Sequence, residues 1–174
     1  MFKFLVLLLL FSIFLYGKTG FTEKTENSGN LACDIGYFYQ NSSNFFIELE
    51  GFQATPLKEK TIDILGNIKI KERTYKNPVA KLKVKLYWGE NLVLNWKSLI
   101  FALTGVSETS LKDLQIDKLH AKIYEKENYK AIIFPLIESS ENGFILVFTS
   151  KDFSVEEMID IIKKFPLNNF CLTP

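Results

Sequence analysis

The chain has 174 residues, 47 % of them hydrophobic and 14 % aromatic, and its 21 basic and 20 acidic side chains leave a formal charge of +1. That length suits one ordinary domain with a real core, and the near-neutral balance gives no electrostatic ground for expecting nucleic acid as a partner. A lone histidine, His120, and two distant cysteines, Cys33 and Cys171, are too few for the usual His/Cys metal sets, and there is no haem attachment spacing, so no cofactor or metal is expected.

The chain opens with Lys3, an apolar run over 4–16 and then Gly17, after which the sequence turns polar. A membrane-spanning helix needs roughly 20 apolar residues at about 1.5 Å rise each. This run falls short, and it reads as a secretory signal peptide over 1–17. The alternative is an uncleaved anchor over 4–17, since cutting after Gly17 leaves Leu15 where a small residue is preferred. Leu31-Ala32-Cys33 does not read as a lipidation site, because the polar stretch 18–30 separates it from the apolar run. The expectation is export, to the periplasm or beyond. In an oxidising compartment Cys33 and Cys171 are the natural disulfide pair, and closing so long a loop restricts the unfolded chain by roughly 4 to 5 kcal/mol in the chain-entropy model. Two free thiols or an intermolecular pair are the alternatives. No Cys-x-x-Cys spacing points to redox catalysis.

Residues 18–44 read as a flexible polar linker and 45–174 as a single domain. The stretch 63–75 reads as a strand interrupted at Gly66, Asn77-Pro78 as a turn, and 79–87 as a strictly alternating strand with Leu82, Val84 and Leu86 on one face and Lys81, Lys83 and Lys85 on the other. The two make a hairpin. The period then changes to helical over 91–105: Asn91 can cap the start, Leu92, Trp96, Leu99, Ile100 and Leu103 form a stripe, and Gly105 suits a left-handed stop. A polar connection follows over 106–118, with helical character around Leu111. Strands are expected at 119–125, 129–137 and 143–149, with Pro135 marking an edge or bulge in the second. Ser154 and Glu157 have capping-box spacing with Phe153 and Met158 as the staple, Met158, Ile161, Ile162 and Phe165 form the buried stripe, and Pro166 ends the helix.

Few residues suggest chemistry. His120 shares a strand face with Lys122 and Tyr124 and reads as a surface or half-buried strand residue, and no Gly-x-Ser-x-Gly elbow or Gly-rich phosphate loop is present. Glu156 and Glu157 are explained by the helix start, and Glu138 and Glu141 flank a turn. The hairpin carries the most suggestive group. If Lys69, Lys71 and Arg73 lie beside Lys81, Lys83 and Lys85, they make a basic sheet face that attracts an anionic polymer or lipid head group. The competing reading is a solvated face whose lysines prevent edge pairing. Arg73 is the only arginine, which weakens the case for bidentate phosphate recognition.

The segments Leu49-Glu-Gly-Phe52, Glu72-Arg-Thr-Tyr75 and Leu119-His-Ala-Lys-Ile-Tyr-Glu125, followed by the capped helix, resemble a group of uncharacterised bacterial exported proteins. The resemblance spans 45–167. It implies a small periplasmic α+β domain and brings no catalytic residues with it.

The sequence therefore predicts an α+β domain, an antiparallel sheet of about five or six strands with two main helices packed on it. The expected role is that of a non-enzymatic periplasmic or envelope accessory or binding protein, its partner an envelope protein, an apolar ligand or an anionic surface. Two alternatives stand beside it: a carrier holding an apolar ligand between the sheet and the helices that bear Trp96, Phe101 and Phe165, and a small hydrolase using paired carboxylates. Protein recovered from the exported fraction should begin near Lys18 and show no reactive thiol when unfolded without reductant. An intact Met1 or two titratable thiols would overturn the compartment or the bridge.

Overall fold

The computed structural model describes residues 40–63, 67–89, 92–137 and 143–167. The expected signal peptide, Cys33, Cys171 and nearly all of the expected linker lie outside the described residues, as do Gly66, Asn91, Glu138 and Glu141. Among the described residues, no helix is long and apolar enough to cross a membrane.

These residues form an α+β fold. Its eight strands are β1 (Gln53–Ala54), β2 (Lys58–Ile62), β3 (Ile68–Lys76), β4 (Lys81–Gly89), β5 (Lys112–Ile116), β6 (Leu119–Lys126), β7 (Tyr129–Ile137) and β8 (Gly143–Ser150), and its two main helices are α1 (Leu92–Thr104) and α2 (Val155–Ile162). Every pairing is antiparallel, and the sheet runs β1-β3-β4-β8-β7-β6-β5, with β2 also paired to β3.

Eight strands exceed the five or six expected, and the additional ones are those without alternation. Four of the five residues of β2 are exposed, and β2 lies at the sheet edge against β3, where no buried face imposes a period of two. The strand expected over 63–75 with an interruption at Gly66 begins later: the chain reverses after β2, with Asn67 at φ 53, and returns as β3. A side chain at positive φ is tolerated by Asn better than by most residues. Likewise β5 occupies part of the expected polar connection, whose helical character is confined to a 3-10 turn at Glu108–Ser110. At the other end, Ser42–Phe45 forms a 3-10 turn with Ser42 and Phe45 buried.

Opposed residues of an antiparallel pair share a face, so the registers sort the sheet into two sides. One side carries Tyr75, Leu82, Val84, Leu86, Leu146, Phe148, Ile132 and Phe134 beneath α2 and the segment that follows residue 45. The other carries Ile68, Ile70, Tyr87, Ile145, Val147, Ile133 and Ala131 beneath α1. Because β8 and much of β7 are covered on both sides, their sequences are apolar at nearly every position rather than alternating. On one flank of β7 the ladder to β6 stops at Lys122↔Ile133, so on that side Pro135 lies past the last pair, the edge position expected of a residue without an amide proton.

Both helices obey their local signals. Gly105 takes φ 76 and its amide donates to the Phe101 carbonyl at 2.7 Å, closing α1 with the left-handed stop. Ser154 accepts from the Glu157 amide at 3.2 Å while the Glu157 carboxylate accepts from the Ser154 amide at 2.7 Å, and Phe153 and Met158 are buried beside this box. The α-helix ends at Ile162, a little before Phe165, and the Phe165 amide bonds to Ile162 at 3.0 Å. That tighter turn delivers the Phe165 ring into a cluster with Phe45, Phe148 and Tyr75, centroids at 5.2, 5.2 and 5.6 Å. The contacts with Phe148 and Tyr75 are edge-to-face, and aromatic pairs of this kind add roughly 0.5 to 1.5 kcal/mol each beyond area burial.

Burial pushes the Tyr75 phenol from its ordinary 10.0 up to about 12, against the pull of the neighbouring Arg73 charge. The phenol ionises more readily in the unfolded chain, so this contribution to stability is complete below pH 10 and is lost as pH rises through about 12. Urea midpoints should fall over that interval, and Tyr75→Phe should flatten part of the fall. An identical decline in the variant would contradict the assignment.

Candidate functional site

Six basic side chains on the β3–β4 hairpin were the strongest lead, and the register divides them. Lys69, Lys71 and Arg73 oppose Trp88, Leu86 and Val84, whereas Lys81, Lys83 and Lys85 oppose Lys76, Thr74 and Glu72. The two triplets therefore lie on opposite faces of the sheet, and the continuous basic face expected if they lay together does not form. The cause is the turn. The Asn77 side chain accepts from the amides of Val79 at 3.0 Å and Ala80 at 2.7 Å, and the Asn77 amide donates to the Ala80 carbonyl at 3.0 Å. This closes a loop that sets odd-numbered residues of β3 against even-numbered residues of β4. A loop one residue longer or shorter would have brought all six together.

The β3 triplet is structural. Arg73 Nη1 donates to the Phe46 carbonyl at 2.5 Å, its Nε donates to the Thr55 carbonyl at 2.9 Å, and its Nη2 pairs with the Glu48 carboxylate. One guanidinium fork thus fastens both ends of the segment 46–55 across the α2 side of the sheet. Lys71, only 4 % exposed, pairs with Glu59 at 3.2 Å and reaches the Ser43 hydroxyl at 3.4 Å. Lys69 stacks over Trp88 at 4.8 Å from the ring centroid.

The β4 triplet has a different setting. It lies on the α1 side, where burial falls along the strand from Tyr87, packed with Leu92, Leu99 and Ile100, through half-buried Lys85 and Lys83 to exposed Lys81. Lys85 is half-buried and shares Glu72 with Lys60, at 3.8 and 3.9 Å. Desolvation holds the Lys85 ammonium below its ordinary range; Glu72 opposes this, while Lys83 and Lys60 reinforce it. Lys83 is half-buried, Lys81 is exposed, and neither forms an ion pair with a carboxylate among the described residues. The same holds for Lys76 and Lys58.

Two grooves flank this row. One, of about 440 Å³, is lined by Lys81, Lys83 and Lys85 together with Leu103, Tyr129 and Val147. The other, of about 270 Å³, lies toward β3 and is lined by Lys81, Lys83, Lys76, Lys58, Thr74 and Glu72. Asp152, at the rim of the first, accepts from the Lys81 amide at 2.9 Å. Lys58 and Lys76 were outside the sequence-based group of six. Lys76 belongs to the same basic stretch of sequence, but which side it takes depends on the length of the Asn77 turn, and nothing in the sequence aligned Lys58.

The remaining leads separate. His120 is exposed on β6, on the side shared with Lys122 and Tyr124. Trp96 and Phe101 belong to α1, with Phe101 60 % exposed, whereas Phe165 is packed among rings on the opposite side of the sheet. The three aromatic residues expected to enclose an apolar ligand do not line one cavity.

No protein-family model matches the chain, and no curated protein does. Among solved structures, it is similar to the crystal structure of a GTP binding regulator from Thermotoga maritima, at 13 % identity, 77 % of this chain, 87 % of that chain and a TM-score of 0.47.

The Arg73 fork yields a direct expectation. Hydrogen bonds to charged groups contribute roughly 1.5 to 3 kcal/mol, so Arg73→Ala should lower the unfolding free energy by about 2 to 3 kcal/mol and speed hydrogen exchange at the Phe52 and Thr55 amides. Arg73→Lys should recover less than half, because one ammonium cannot span both carbonyls. Full recovery by lysine would show that charge alone matters.

Proposed function

We propose that this chain is a non-catalytic binding protein of the cell envelope, exported through its apolar N-terminal run, and that it takes an anionic ligand on the α1 side, toward the exposed end of the β4 lysine row. The observation that carries this reading is the set of lysines there without carboxylate partners among the described residues: Lys58, Lys76, Lys81 and Lys83. Like charges gathered on one face raise the free energy of the unbound protein, and an anion relieves that repulsion. The same side chains on an ordinary solvated surface need not converge on grooves; here they line two. The carboxylates beside them are already engaged, Glu72 with two ammonium groups and Asp152 with a backbone amide. This favours binding over paired-carboxylate hydrolysis.

Replacing Lys81 and Lys83 with Gln should weaken retention on heparin or on anionic vesicles. The control pair Lys112→Gln and Lys118→Gln, exposed on β5 and in the turn after it, should change it little. Raising the salt should erase the difference, as expected for exposed charge. Equal retention of both double variants would refute the reading.

A further inference from the structure

Resting on that reading, we propose that the larger groove takes a small amphipathic anion, an acid whose head group sits on Lys83 between Lys81 and Lys85 and whose short apolar body lies against Leu103, Tyr129 and Val147. The shape of the cation row carries this. Along β4 the lysines sink inward, Lys81 exposed and Lys83 and Lys85 half-buried, and the next residue on that face, Tyr87, is 2 % exposed and packed with Leu92, Leu99 and Ile100. The row is therefore a dead end beneath α1. A linear polyanion or a flat membrane surface can meet Lys81 and Lys83 at the open end of the row but leaves Lys85 behind. A molecule with a single acidic terminus has no such conflict.

The apolar wall fits the other end. Leu103 is the last stripe residue of α1, and it stands over Val147 and Tyr129 at the groove. A groove of about 440 Å³ is within the size range of small-molecule sites; Leu103, Tyr129 and Val147 form its apolar wall, and the rest of its lining, the lysine row and the stretch from Thr149 through Lys151 to Asp152, is polar. Partial desolvation of Lys85 lowers the local screening, so a head group there is attracted more strongly than on the open surface.

Titration calorimetry on the full chain with a series of straight-chain carboxylates from hexanoate to decanoate tests this, with decylamine, inorganic phosphate and heparin as comparisons. Saturable one-to-one binding of decanoate is expected, strengthening by about threefold to fourfold per buried methylene, with decylamine and phosphate inert at the same concentrations. Lys83→Gln should weaken decanoate at least fivefold, and Leu103→Ser should weaken it while leaving heparin retention intact. The chain-length series needs no variant, so it stands even if Leu103→Ser fails to fold. Affinity independent of chain length, or phosphate competing as well as decanoate, would overturn the amphipathic ligand. If carboxylates fail to bind but retention on heparin still depends on Lys81 and Lys83, this inference falls and the broader anion reading survives; if neither binds, both fall.

Discussion

The geometry of this molecule depends on the pairing of β3 with β4, which the Asn77 turn holds in one register from Lys69↔Trp88 to Lys76↔Lys81. Because a strand alternates strictly, that single offset decides the side of every residue on both strands. It puts Leu82, Val84 and Leu86 beneath α2 and Ile68, Ile70 and Tyr87 beneath α1, and each helix finds an apolar surface waiting. The start of β4 is held independently as well, since Ser150 Oγ donates to the Lys81 carbonyl at 2.8 Å while Asp152 accepts from its amide. A slip of one position would expose the core and bury the lysines together.

The same offset gives the two cationic rows different fates. On the α2 side Arg73 is satisfied by carbonyls and Glu48 in the segment 46–55, and Lys71 by the Ser43 hydroxyl and by Glu59 on β2. Buried charge is tolerated because each cationic group has an ion-pair partner and further polar contacts. On the α1 side the row starts in solvent and ends against a helix. Alternation of charge along a strand, taken alone, does not distinguish these situations, although one fastens the fold and the other leaves charge available.

Where local chemistry dictated structure, the sequence was readable. Strict alternation in β4, the Ser154 box and the Gly105 stop each concern residues within a few positions of one another, and each is present. What escaped reading was non-local or edge-bound. The strands β1, β2 and β5 have too little buried surface to imprint a period, and β2 and β5 are dominated by Lys, Glu, Asp and Gln, which also read as loop. The parity of the hairpin depends on how many residues the turn consumes, and Asn77-Pro78 announces a turn without fixing its length. Lys58 joined the groove through β2, an element that the pattern did not reveal. Phe165 looked like one more stripe residue of a helix, whereas it lies past the α-helix end and is the meeting point of three other rings.

Arg73 is the only guanidinium in the chain, and the fold consumes it internally. Every positive group left at the grooves is an ammonium, a compact and rotatable point charge that attracts carboxylate, sulfate and phosphate without imposing a planar fit. Under the proposed binding role, discrimination among acids falls to the walls, to the contour that Leu103 and Tyr129 present. On that proposal, exchanging one or two of these apolar residues changes which acid fits and leaves the electrostatics untouched.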